Sequence, residues 1–134
     1  METLEHTYES VRSYIPPDAI TPSQNAVLRR LAGFGASPGV IEGPCTVARD
    51  LKDLQALPYG AIVVCEAALP EFAHFIPLLG GLIAERGGCL SIASRYAREC
   101  GIPAVFGVEG LLDAVQSGDV IRVDASTGTV DIIG

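Results

Sequence analysis

Glu85-Arg86-Gly87-Gly88-Cys89-Leu90-Ser91-Ile92-Ala93-Ser94-Arg95-Tyr96-Ala97-Arg98-Glu99-Cys100, continuing as Gly101-Ile102-Pro103-Ala104-Val105-Phe106-Gly107, is the most informative stretch of this chain. It reads as a strand ending at Glu85, a Gly-Gly turn, and a helix over Ser91 to Cys100 with Ser91 or a neighbour as its N-cap. Gly101 is placed to stop that helix, and Ile102-Pro103 launches the next strand. Two glycines ahead of a helix let the backbone approach a ligand closely, and the free N–H groups of the first turn favour an anion such as phosphate. The same spacing also suits a tight strand-to-helix turn with no ligand at all.

Outward from this stretch, short apolar runs alternate with helical segments. Pro44 to Arg49 is strand-like, and Ala61-Ile-Val-Val-Cys65 suits a strand buried on both faces. Gly81 to Ala84 and Ala104 to Phe106 are two more short strands. Val120 to Asp124 and Thr129 to Ile133 flank Ser126-Thr-Gly128 and predict a terminal, half-exposed hairpin. Helices are expected over Asp50 to Leu57, Pro70 to Leu79, Ser91 to Cys100 and Gly110 to Ser117. Such alternation predicts an α/β unit with helices covering a largely internal sheet. Upstream, Thr3 to Tyr14 and a segment opened by Thr21-Pro22-Ser23 predict two helices. The second offers Ala26, Val27, Leu28 and Leu31 on one face, with Arg29-Arg30 near its end. The chain therefore divides into an N-terminal helical arm, 1–32, and a domain, 33–134.

The 134 residues suit one domain, and an apolar content of 49% supplies its core. Sixteen acidic against nine basic residues give a net charge of −7, which argues against nucleic acid and anionic membranes as partners. Residues 1–13 are polar, without the apolar centre of a signal peptide, and every apolar run is too short to span a bilayer. Cys45, Cys65, Cys89 and Cys100 form no CxxC pair and have no histidine at ligand spacing. They are read as reduced structural thiols, with no metal site and a cytoplasmic location.

The central stretch resembles the phosphohistidine swivelling (mobile) domain of the phosphoenolpyruvate-utilising enzymes, of the pyruvate phosphate dikinase, phosphoenolpyruvate synthase and rifampin phosphotransferase type. The family pattern of Gly-Gly, two residues, Ser-His-Ala, a helix with Ala-Arg-Glu, then Gly-Ile-Pro-Ala-Val and Gly is met by Gly87-Gly88, Ser91, Ala93, Ala97-Arg98-Glu99, Gly101 to Val105 and Gly107. Three flanking signatures match in order. They are Ala36-Ser-Pro-Gly39 with Gly43, then Gly60 to Val64 followed by Pro70, then Gly118 to Asp124 with Gly128-Thr-Val130. The resemblance covers Gly33 to Ile133 and implies a single swivelling-type β/β/α unit.

The resemblance breaks at one residue. Where it implies the phosphorylated histidine, this chain has Ile92. Phosphoryl transfer needs a nucleophilic lone pair, which isoleucine lacks. Ser91 is read as a helix cap and, alternatively, as a substitute hydroxyl acceptor. Gly87, Gly88, Cys89 and Ser91 are the candidate phosphate loop, with Cys89 also a candidate thiolate near a helix N-terminus. His74 is read as an interface or half-buried residue and His6 as a solvated one. Arg95 and Tyr96 make the first turns of the helix bulkier and more polar than the family pattern, and Arg98-Glu99 are read as structural, as ion-pair partners.

No cofactor is called for, and no Walker-type phosphate loop is present. The expected function is that of a stand-alone, non-catalytic homologue that docks or regulates. Its partner would be a separate nucleotide-binding or substrate-domain protein, or a second copy of itself. The alternatives are a phosphoryl-carrier subunit of a multi-component phosphotransferase, using another acceptor or a partner's residues, or a small-molecule-binding α/β domain.

Overall fold

The computed structural model describes residues 27–88 and 91–133. Eight strands make one sheet: β1 (Val27–Ala32), β2 (Phe34–Ser37), β3 (Val40–Val47), β4 (Ile62–Cys65), β5 (Gly81–Ala84), β6 (Ala104–Phe106), β7 (Val120–Asp124) and β8 (Thr129–Ile133). Three α-helices lie between them, α1 (Leu51–Gln55), α2 (Ile92–Cys100) and α3 (Leu111–Ala114), with 3₁₀ turns at Pro70–His74 and Ile76–Leu78. The strand order is β1-β8-β7-β3-β4-β5-β6-β2. Pairing is parallel from β3 through β6 and antiparallel elsewhere.

Two strands serve both halves of this sheet. The first part of β3, from Val40 to Pro44, pairs with β7, and the rest, from Cys45 to Val47, pairs with β4. β1 and β2 lie at opposite ends of the order yet are separated only by Gly33, so the sheet curls until its two edges meet in one bent strand. The bend is tight. A Cβ on Gly33 would stand 2.6 Å from the Phe106 carbonyl oxygen, and one on Gly35 would overlap the Ala125 carbonyl. Glycine is the residue that lets backbone meet backbone here.

The continuous apolar run Ile62-Val63-Val64-Cys65 is buried on both faces, as its sequence implies. Ile62 and Val64 join Ile41, Ile83, Val105, Ile121 and Val123 inside the curled sheet. Val63 and Cys65 point the other way, into a layer with Phe72, Ile76, Leu82, Ala93, Ala97 and Phe106 beneath the helices. Two faces of one short strand thus feed two cores.

Several sequence expectations need correction. Residues 27–32 are strand β1, not the end of a helix. Only Leu31 of β1 is buried, and the open edge of β8 supplies a hydrogen-bonding ladder that outweighs local helix preference. Arg30 then donates from Nε and Nη2 to the two carboxylate oxygens of its cross-strand partner Asp131, at 2.7 and 3.0 Å. The 1–32 arm therefore contributes its last residues to the sheet. The helix expected over Thr3 to Tyr14 lies outside the described residues. The terminal hairpin forms as expected, but the middle of β8 is buried rather than half exposed, because β1 covers its far side. Pro70 to Leu79 is two 3₁₀ turns rather than one helix, since Pro77 has no N–H to continue an α-helical ladder. Gly110 to Ser117 shortens to α3, which starts at a left-handed Gly110 and ends at an extended Val115.

Cys45, Cys65 and Cys100 are free thiols, the first two buried. Burial, with Asp119 adding to it, pushes the Cys45 thiol from 9.0 up to about 11, and burial alone pushes Cys65 up to about 12. The unfolded chain releases these protons near pH 9, while the fold retains them. Their contribution to stability is complete below pH 9 and is lost as pH rises through the folded values. The Cys45→Ala/Cys65→Ala variant lacks this alkaline loss. Its urea midpoint is expected to approach that of the parent between pH 9 and about pH 11, and a constant gap across that window would contradict the assignment.

Candidate functional site

The Gly-Gly turn and the start of α2 are built from both ends. On the incoming side, Glu85 N donates to Cys65 O at 3.0 Å and Arg86 N to Glu66 O at 2.8 Å, continuing the parallel pairing past the end of β5. An exposed ion pair, Arg86 to Glu66 at 3.3 Å, lies alongside. The Glu85 carboxylate accepts from Leu112 N at 2.9 Å, so it is committed to the first turn of α3. Gly87 has a left-handed φ of 105°, and a Cβ there would press on the Phe106 ring at 3.0 Å. Gly88 faces open space, with nothing within 4 Å of a Cβ placed on it. Of the two glycines, one is demanded by conformation and the other leaves backbone accessible.

Ser91 caps α2 as the sequence predicts. It is extended, at φ −70° and ψ 160°, and its Oγ accepts from Ser94 N at 3.1 Å. Gly101 closes the helix in a left-handed conformation, at φ 72°. The inner face of α2 carries Ala93, Ser94 and Ala97, all buried, so the helix lies close on the sheet. Ser37 Oγ donates to Ala97 O at 3.3 Å, and Arg98 Nη1 donates to Ala36 O at 3.2 Å and to Ser94 Oγ at 2.8 Å. These bonds bolt α2 to β2. Arg98 thus takes a structural role, with a carbonyl and a hydroxyl among its partners.

Ile92 opens α2 and is 57% exposed, with Tyr96, one turn on, 41% exposed. Both line a shallow groove of about 650 Å³ whose opposite wall is formed by Pro70, Ala73, His74 and Pro77. Glu99 and Cys100 also line it, and no lysine or arginine does so among the described residues. His74 is exposed rather than half buried, because the 3₁₀ turn directs Phe72 and Ile76 to the core and leaves His74 on the outer side. The fold thus brings His74 and Ile92 to one groove, although eighteen positions separate them in sequence. Cys89 and His6 lie outside the described residues.

Sequence reasoning missed the groove, because it arises between two elements with no shared motif. It also missed Phe34, which is 65% exposed and whose ring occupies the space a Cβ on Gly107 would need, beside the Gly87 carbonyl. Among the described residues there is no cluster of histidine, cysteine, aspartate and glutamate able to hold a metal ion, and no helix long and apolar enough to cross a membrane.

The family described as PEP-utilising enzyme, mobile domain, matches residues 57–128. The chain is 30% identical to the uncharacterized phosphotransferase YvkC of Bacillus subtilis (strain 168), over 86% of this chain and 14% of that protein. It is also 30% identical to the rifampicin phosphotransferase of the same organism, over 98% of this chain and 16% of that protein. The chain therefore spans only a small part of these relatives. Among solved structures, an Enzyme I structure superposes with a TM-score of 0.52 and 28% identity, covering 60% of this chain and 33% of that one. The curled β/β/α fold, the order of the motifs and these relatives agree, and the chain belongs to the mobile-domain family of the PEP-utilising enzymes.

Proposed function

We propose that this mobile-domain homologue accepts no phosphoryl group at the position the family uses, and that it acts as a docking or regulatory module in the cytoplasm. Its partners would be a separate nucleotide-binding or substrate domain, or a second copy. One observation carries this reading: an exposed isoleucine opens α2, where the resemblance implies a histidine. A hydrocarbon side chain offers no lone pair to phosphorus, and no pKa adjustment alters that. The surroundings support the same reading. Among the described residues, the groove beside Ile92 is lined by the acidic Glu99 and by no arginine or lysine, which favours a role other than holding a phosphoryl group. Ser91 Oγ already caps the helix, and Gly87-Gly88 with Ser91 remains the candidate for a weak phosphate contact.

A second reading, that of a phosphoryl carrier with a different acceptor, has one observation in its favour. His74 is exposed on the same groove as Ile92.

Incubation with labelled phosphoenolpyruvate or ATP and a competent family partner separates the two. The parent chain is expected to stay unlabelled, and Ile92→His to gain acid-labile label. Stoichiometric labelling of the parent would overturn the non-catalytic reading. Loss of acid-labile label in His74→Ala would then assign the acceptor to His74, and acid-stable label would assign it to Ser91.

A further inference from the structure

Of the nine exposed large hydrophobic side chains among the described residues, four sit on α2 and the 3₁₀ turns or immediately beside them: Leu69, Leu78, Ile92 and Tyr96. The wall facing α2 includes Pro70 and Pro77, which carry no N–H that burial would leave unpaired. Ile92 and Tyr96 share the groove with Pro70, Ala73 and Pro77, and such exposed apolar side chains gathered in one groove mark a contact surface.

The outer stripe of α2 reads Ile92, Arg95, Tyr96, Glu99, at helical spacings of three, four and seven, and all four side chains are exposed. This stripe is complementary to itself when reversed. In an antiparallel apposition centred on Tyr96, the two tyrosines meet at the axis and each Ile92 faces the far end of the other helix. Arg95 and Glu99 lie on the same flank of the stripe. At 1.5 Å per residue, Arg95 of one copy falls about 3 Å along the axis from Glu99 of the other, within reach of both side chains. Two-fold symmetry makes each such contact occur twice. With a net charge of −7 on every copy, a contact with locally matched charges lowers the mutual repulsion, and this stripe supplies that match.

We propose that two copies of this chain pair through this groove, with their α2 helices antiparallel across Ile92 and Tyr96. The proposal rests on the reading that position 92 need not stay open to a phosphoryl donor, since a paired α2 would cover it.

Sedimentation velocity on the full chain at physiological salt, across a series of concentrations, is expected to reveal a reversible dimer. Ile92→Asp should weaken it by about thirtyfold or more, as expected for removing a central apolar anchor. Arg95→Glu and Glu99→Arg should each weaken it, and the two combined should restore it, because the swap returns opposite charges to facing positions. All three side chains are exposed, so unchanged thermal unfolding of the singly substituted chains checks that the fold is intact. A chain that stays monomeric at every concentration would overturn the proposal. So would a dimer indifferent to Ile92→Asp, or a double variant no better than the single ones. Phosphoryl labelling of the parent would instead overturn the non-catalytic reading and is scored separately from sedimentation.

Discussion

Gly35→Ala is expected to leave little or no folded protein. A Cβ at this position overlaps the carbonyl oxygen of Ala125, which is backbone and has little room to retreat. Ala125 is held in place by its own N–H, which donates to Gly39 O at 2.8 Å. On the neighbouring turn, Gly33 N donates to Gly128 O at 2.8 Å, so the bent strand is tied on both sides of the clash. Relief would require the sheet to open where its two edges meet, and several strands would lose their partners together. The expected loss exceeds ~4 kcal/mol, beyond the range of ordinary substitutions and a large part of the stability of a domain this size. Urea unfolding followed by circular dichroism measures it. A loss below ~1 kcal/mol would mean that the sheet does not close through Gly35.

Phe106→Ala is expected to cost ~3–5 kcal/mol and to loosen the Gly-Gly turn at the same time. The Phe106 side chain is 1% exposed and packs in the layer beneath α2. Its ring also supports Gly87, at 3.0 Å from where a Cβ would stand. Removing the ring opens a cavity and takes away the floor of the turn. A shift in the urea midpoint reads the first effect. Faster tryptic cleavage after Arg86, under conditions where the variant is still folded, reads the second. Phe106→Leu keeps much of the volume and should lose less of both. Unchanged cleavage after Arg86 in a folded Phe106→Ala chain would mean that the turn is held by its own hydrogen bonds rather than by the ring.

The site is legible in sequence where it depends on neighbours in the chain. Ser91 as cap, Gly101 as stop and a turn at Gly87-Gly88 follow from local conformational chemistry, and each is found where its residue type predicts. The absence of a nucleophile at Ile92 is equally local. The groove is different in kind. Its walls come from Pro70 to Pro77 and from α2, and what joins them is the packing of Phe72 and Ile76 in the same layer as Ala93 and Ala97. His74 reaches the groove for the same reason, which its immediate neighbours in sequence do not reveal.

By itself, the sequence determined the short strands at Ile62–Cys65, Gly81–Ala84 and Ala104–Phe106, the helix over Ile92–Cys100 and the terminal hairpin, because short, strongly apolar runs bounded by glycine and proline have few alternatives. It also determined that an isoleucine, Ile92, opens the helix where the resemblance implies a histidine. Tertiary structure alone decided the fate of residues 27–32, whose apolar spacing suits a helix. An unpaired edge on β8 and an aspartate at Asp131, 101 positions from Arg30, made them a strand. It also decided that the sheet closes on itself, since closure depends on Gly33 and Gly35 lying against Phe106 and Ala125, far along the chain. Local propensity is worth tenths of a kcal/mol per residue, whereas a completed ladder and a buried core are worth several, and where the two disagree the long-range terms win.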